Sequence, residues 1–167
     1  EVLFQHARAM YYGGHMKGNP GGNYWWDVPA YNHRWFRDWG LALAVMAVTE
    51  GEPREQWLLG EVRRELAFMA RWLPVDGSQH EGPGYGSSAG ALGMAFLASD
   101  DVIGTTFLDS PFYTTAAEYT LHVAAPGMRQ AMYFADCHTN ATSFHRLFML
   151  TAARHGAPAA KSALVAP

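Results

Sequence analysis

The sequence predicts an all-α fold in which inner helices are backed by outer ones, as in an α/α solenoid or toroid. Three observations carry this expectation. About six segments repeat apolar residues at helical spacing, and strand signals are almost absent. A helix that is apolar on every side, at Leu41 to Val48, is followed by a one-sided helix, the pairing expected of an inner and an outer layer. No repeat of fixed period is present, which weighs against a regular solenoid.

The elements follow in order. Glu1 to Tyr12 reads as a helix through Val2, Leu3, His6, Ala9 and Met10, stopped by Gly13-Gly14. Residues 13–30 hold five glycines and two prolines, the composition of a loop, yet carry Tyr24-Trp25-Trp26-Asp27. A second helix runs from Arg34 to Thr49 and ends at Gly51 and Pro53. Arg54 to Leu73 is amphipathic, with Leu58, Val62, Leu66, Met69 and Leu73 as its apolar stripe and Glu55, Glu61 and Glu65 among the residues off it. Pro74 to Gly86 is a loop, after which Ser87 or Ser88 caps a helix of small residues at Ala89 to Ala98. Ser110-Pro111 starts a helix reaching about Ala124, and Met128 to Ala135 reads as a short strand or extended connector. A last helix begins at Thr139 or Asn140 and closes at Gly156 and Pro158, leaving a frayed tail over 159–167.

Composition narrows the function. The chain has 167 residues, 49% apolar and 16% charged, so it folds around a core, and it reads as one domain over 1–167. The net charge of -3 and the lack of a basic block argue against nucleic acid as a partner. No apolar run approaches a membrane span, so no membrane partner is expected, and no signal peptide is visible. One cysteine, Cys137, excludes an internal disulfide framework and a cysteine-rich zinc site. No HExxH, G-x-S-x-G or phosphate-loop motif occurs, and neither metal nor cofactor is expected.

Three polar clusters remain. Asn32-His33-Arg34 lies at a helix start, where free N–H groups favour anions, although Asn32 alone also reads as an N-cap. Glu81-Gly82-Pro83-Gly84-Tyr85-Gly86 surrounds one tyrosine with glycine, so its ring is either presented to a ligand or packed down over a tight turn. Asp136-Cys137-His138-Thr139-Asn140 begins the last helix and offers His138 to the same space. Tyr24, Trp25 and Trp26 supply faces on which sugars stack, with core packing as the rival use of the tryptophans.

Tyr24-Trp25-Trp26-Asp27, then Asn32-His33, then Asp76-Gly77-Ser78-x-x-Glu81-Gly82-x-x-Tyr85-Gly86-Ser87 together resemble the α/α-toroid domain of heparinase II/III-like polysaccharide lyases and the related dermatan-sulfate epimerases. The resemblance covers roughly residues 23–140. It implies an incomplete (α/α) toroid, read here as a fragment of a longer enzyme without its C-terminal β-sandwich. The implied activity is β-elimination on a uronic-acid polysaccharide, in a periplasmic or secreted setting. By the same resemblance Asn32 neutralises the uronate carboxylate, His33 neutralises it or takes a proton, Tyr85 is the acid/base, and Glu81 supports the site. The alternatives are a uronate C5-epimerase or a non-catalytic carbohydrate-binding module.

The chemistry fits those residue types. Removing a proton beside a carboxylate places a second negative charge on the group, and each well-placed donor stabilises it by about 3 kcal/mol. A phenol with an ordinary pKa near 10 is protonated at neutral pH and can give its proton to the departing sugar oxygen. Arg34, together with a charged His33, is the cation expected to lower the phenol pKa if Tyr85 acts as base, and Arg34 is also expected on the substrate. The net charge suits a carboxylate-only polymer better than a sulfated one.

Overall fold

The computed structural model describes residues 1–15, 28–126, 130–132, 135, 145–158 and 160–161. Among these residues the fold is all-α, with six α-helices and no strand. They are α1 (Val2–His15), α2 (Asn32–Val48), α3 (Pro53–Trp72), α4 (Gly86–Ile103), α5 (Pro111–Val123) and α6 (His145–His155). Single-turn 3₁₀ helices at Pro83–Tyr85 and Phe107–Asp109 precede α4 and α5.

Alternate helices touch. α2 packs on α4 and α4 on α6, while α1 and α3 both lie on α2 and α5 lies on α6. The expected stripe of α3 is buried in full: Leu58, Val62, Leu66, Met69 and Leu73 all sit in the main core. So do Phe4, Ala7 and Tyr11 of α1, one face at i, i+3 and i+7.

The most deeply buried of the described helices is α4, not α2, although Met94 and Val102 on it are exposed. Ala47 of α2 is exposed and Leu43, Ala44, Met46 and Val48 are only half-buried. In α4 the run from Ser88 to Gly93 is buried without a break. Its small residues explain this. A Cβ on Gly90 would stand 2.7 Å from the Arg146 Cβ and 3.2 Å from the Leu147 backbone nitrogen, so α6 approaches α4 to a distance only glycine permits.

Several boundaries depart from expectation. α1 continues through Gly13-Gly14 to His15. α2 starts at Asn32, so Asn32 and His33 belong to its first turn. α4 starts at Gly86 and ends at Gly104, whose φ of +66° is left-handed. Neither serine caps it. The Ser88 hydroxyl instead donates to the Tyr85 carbonyl (2.7 Å). Ser110 precedes α5 as expected, but its side chain makes no cap hydrogen bond. The connector after α5 shows a single antiparallel bridge among the described residues, Ala124 to Ala131. The expected start of the last helix at Thr139 or Asn140 lies outside the described residues. The tail is not wholly frayed: Ala160 is fully buried in a small second core with Ala117, Ala131, Phe148 and Ala152.

Glu65 is not on the solvent side of α3. It turns toward α2 and meets Arg37 (2.8 Å) and Arg34 (3.3 Å). Asp38 bonds Arg37 and lies 3.6 Å from Arg34, so two guanidinium and two carboxylate groups form one buried cluster between α2 and α3. Glu55 is likewise buried, because its Oε2 accepts from the backbone N–H of Glu50 (2.9 Å) and Glu52 (3.2 Å) ahead of α3.

Burial pushes the Glu65 carboxyl up to about 7, and the neighbouring Asp38 charge adds to the rise. The folded state therefore binds a proton that the unfolded chain, near 4.5, has released. That contribution is present below pH 4.5 and is lost as pH rises through about 7. Urea unfolding across this window is expected to show stability falling with pH, and Glu65→Gln is expected to flatten the slope.

Gly77 gives a second test. Its φ is +76°, and a Cβ there would lie 2.5 Å from the Ala116 Cα of α5. Gly104, at φ +66°, has open space around it. Gly77→Ala is expected to lower the unfolding free energy by roughly 2–5 kcal/mol, strain plus overpacking, and Gly104→Ala by about 1 kcal/mol from strain alone. Paired denaturation curves measure both.

Candidate functional site

The site is built where the first turn of α2 meets the loop before α4. The Asn32 backbone N–H donates to the Glu81 Oε2 at 2.6 Å, across 49 residues of sequence. A helix begins with N–H groups that have no partner in the helix itself. No side chain of Tyr31, the residue before α2, supplies one, so Glu81 caps α2 from a distant loop. The carboxylate also lies at the positive end of the helix dipole.

The loop itself is fixed from several sides. Thr115 of α5 donates its hydroxyl to the Val75 carbonyl (2.9 Å), and Gly77 lies against Ala116. Asp76 accepts from the Ser78 N–H (3.0 Å), and that bond holds its carboxyl below the usual range. The Gly82 N–H donates to the Gln79 carbonyl (3.0 Å), and the Tyr85 N–H to the Gly82 carbonyl (3.2 Å). Gly82 has a φ of +95°, which lets the chain turn sharply into the 3₁₀ helix. Tyr85 is the residue immediately before α4 and is half-buried. It lies four positions after Glu81, so its Cα is within roughly 14 Å of the Glu81 Cα.

The predicted residues are distributed as follows. Asn32 is buried at the start of α2. His33 is exposed beside it, its ring 5.0 Å from that of Tyr31. Glu81 and Tyr85 are brought to the same end of α2 and α4. Arg34 goes elsewhere. Only 2% of it is exposed, its guanidinium meets Asp38 and Glu65, and it sits 4.5 Å over the Phe68 ring. The expectation that Arg34 reaches substrate or tunes Tyr85 thus meets a side chain engaged with α3. The physical reason is helical register: Arg34, Arg37, Asp38, Leu41 and Val45 share the buried face of α2. Tyr24, Trp25, Trp26 and His138 lie outside the described residues.

Sequence reasoning missed two features. One is the helix that Glu81 caps: its residue type allows a cap or a positioning role, but no local spacing points to α2, because the partner is 49 positions away. The other is Gln79, which is buried with both amide atoms lacking a hydrogen-bond partner among the described residues. Its place two residues before Glu81 was the available hint. No cluster of three metal-binding side chains occurs among the described residues, and no described helix is long and apolar enough to cross a membrane.

Comparison with protein-family models, with curated proteins and with solved structures gives no match for this chain.

Removing the Glu81 carboxylate leaves the first turn of α2 without its cap. Glu81→Ala is expected to cost about 1 kcal/mol of stability, and amide hydrogen exchange in the first turn of α2 should quicken relative to that in α3.

Proposed function

We propose that this chain is part of an (α/α) toroid that binds an acidic, uronate-containing polysaccharide and cleaves it by β-elimination. The observation that carries the reading is the 2.6 Å bond from Asn32 to Glu81, which draws the Asn32-His33 turn and the segment leading to Tyr85 to one end of the helix row. The row of touching helices α2, α4 and α6, with α1, α3 and α5 on its flanks, suits an arc of such a toroid.

In this reading the Asn32 amide and the His33 imidazole bind the uronate carboxylate. They stabilise the charge that develops when the C5 proton leaves. His33 is the exposed group of the pair and takes that proton when it is neutral. The electron pair forms the C4–C5 double bond, the C4–O bond breaks, and the Tyr85 hydroxyl protonates the departing oxygen. Glu81 holds the geometry rather than reacting, since its carboxylate already accepts the Asn32 N–H. Arg34 serves the same end indirectly, through the cluster that fixes the rotation of α2.

The test is incubation with alginate and with other uronate polymers. The expected result is growing ultraviolet absorbance from unsaturated uronate ends. Tyr85→Phe should lower the rate about 10²-fold or more, and Asn32→Ala about 10²–10³-fold. Exchange of the C5 proton for deuterium without chain cleavage would replace the lyase by an epimerase. No absorbance and no exchange on any uronate polymer would remove both.

A further inference from the structure

We infer that the outer face of the molecule, between α1 and α3, is a second saccharide site that binds acidic sugar units without cleaving them. The two helices enclose an open cavity of about 290 Å³ lined by Phe4, Arg8, Tyr12, Arg54 and Trp57. None of these belongs to the Asn32–Tyr85 site. A second cavity of about 230 Å³ adjoins it and shares Arg8 and Tyr12. Two open spaces of this size on either side of shared lining residues suit two consecutive sugar rings of a chain rather than one enclosed small molecule.

The lining has the chemistry for that ligand. Tyr12 and Trp57 lie nearly parallel, with centroids 6.0 Å apart and planes at 24°, and each keeps about two-fifths of its surface exposed. Tyr11 stands edge-on to both at 5.6 Å, which holds the two rings in place. Tyr11 is itself anchored by its hydroxyl, which donates to Glu61 (2.8 Å). Exposed flat rings at a fixed spacing bind the C–H faces of sugars.

One of the two guanidinium groups, that of Arg8, adds the preference for acid. Arg54 is held by both oxygens of Glu1 (2.6 and 3.2 Å) and by the Phe4 ring, 5.0 Å away. Arg8 sits 5.5 Å over Tyr12 and makes no ion pair among the described residues. A guanidinium with no acid partner among the described residues receives a carboxylate in a bidentate fork, while the exposed Trp57 ring that lines the same cavity carries the sugar. The choice of a uronate over another ring-shaped anion rests on the proposed lyase reading, but the groove does not depend on catalysis.

The experiment separates the two. An alginate tetrasaccharide is titrated into the chain carrying both Asn32→Ala and Tyr85→Phe, followed by calorimetry and by indole N–H shifts in NMR. Retained binding that weakens at least tenfold with Arg8→Ala and with Trp57→Ala, and that falls as salt rises, is the expected result. Both residues are partly exposed, so each variant is also checked for an unchanged melting curve. Binding lost in the double variant, binding indifferent to Arg8 and Trp57, or equal binding of a neutral cello-tetraose would overturn the proposal. Loss of the lyase activity alone would leave it standing.

Discussion

The geometry of the candidate site depends on one hydrogen bond, from the first backbone N–H of α2 to the Glu81 carboxylate. It satisfies a donor that the helix cannot satisfy itself, and it places a negative charge where the helix dipole favours one. It also closes a loop of 49 residues in which α3 and the turn after it are contained. A closure of that length has an entropic cost that one bond does not offset. The bond holds because other contacts already set the loop: the Thr115 hydroxyl on Val75, the close approach of Gly77 to α5, and the sharp turn at Gly82. Glu81 therefore locks a position that packing has prepared.

Which residues α2 offers at that site is decided further along the helix. Arg34, Arg37 and Asp38 enter the core side by side and meet Glu65 of α3. Burying such a cluster is no strong source of stability, because desolvation opposes the attraction between the charges. Its value here is orientation. Arg34, Arg37 and Asp38 turn together, so rotating α2 would part both guanidinium groups from Glu65 and leave that carboxylate without them in the core, at a cost of several kcal/mol. With that face committed, His33 and Phe36 remain outside, and an apolar ring is exposed while charged residues are buried.

That inversion explains what could and could not be read from the sequence. The stripe of α3 was readable because five apolar residues at helical spacing have one way to be buried, and they are buried. The start of α5 was readable from Ser110-Pro111, since proline fixes the first turn even though the serine hydroxyl does not cap it. The depth of α2 was not readable. A run of leucine, alanine and valine looks buried on every side, yet the surrounding helices cover only part of it, whereas the glycine and alanine of α4 allow neighbours on both sides. Glu65 looked like a solvent residue because its partners, Arg34 and Arg37, lie on another helix. In the site, Asn32, Glu81 and Tyr85 were readable as residue types in loops, but the contact joining Asn32 to Glu81 is tertiary and leaves no mark in local spacing.

The placement of charge bears on the kind of polymer the proposed site would take. Under the lyase reading a substrate carboxylate needs donors at the start of α2. The nearest arginine in sequence, Arg34, is engaged by Asp38 and Glu65, and the four-residue cluster has two charges of each sign when all are ionised. The described donors left at that turn are the Asn32 amide, the His33 ring and the helix end, and Glu81 already lies against the last of these. Neutral donors of this kind suit a single carboxylate whose charge grows during reaction, because they act most strongly on the developing charge. They do little for fixed sulfate groups, which are held by permanent cations. Under that reading a site of this make-up favours a polymer whose only anion is the uronate itself, and the guanidinium of Arg8 beside α3, with no ion pair among the described residues, is a fixed cation of the kind that the described residues of the proposed catalytic end do not offer.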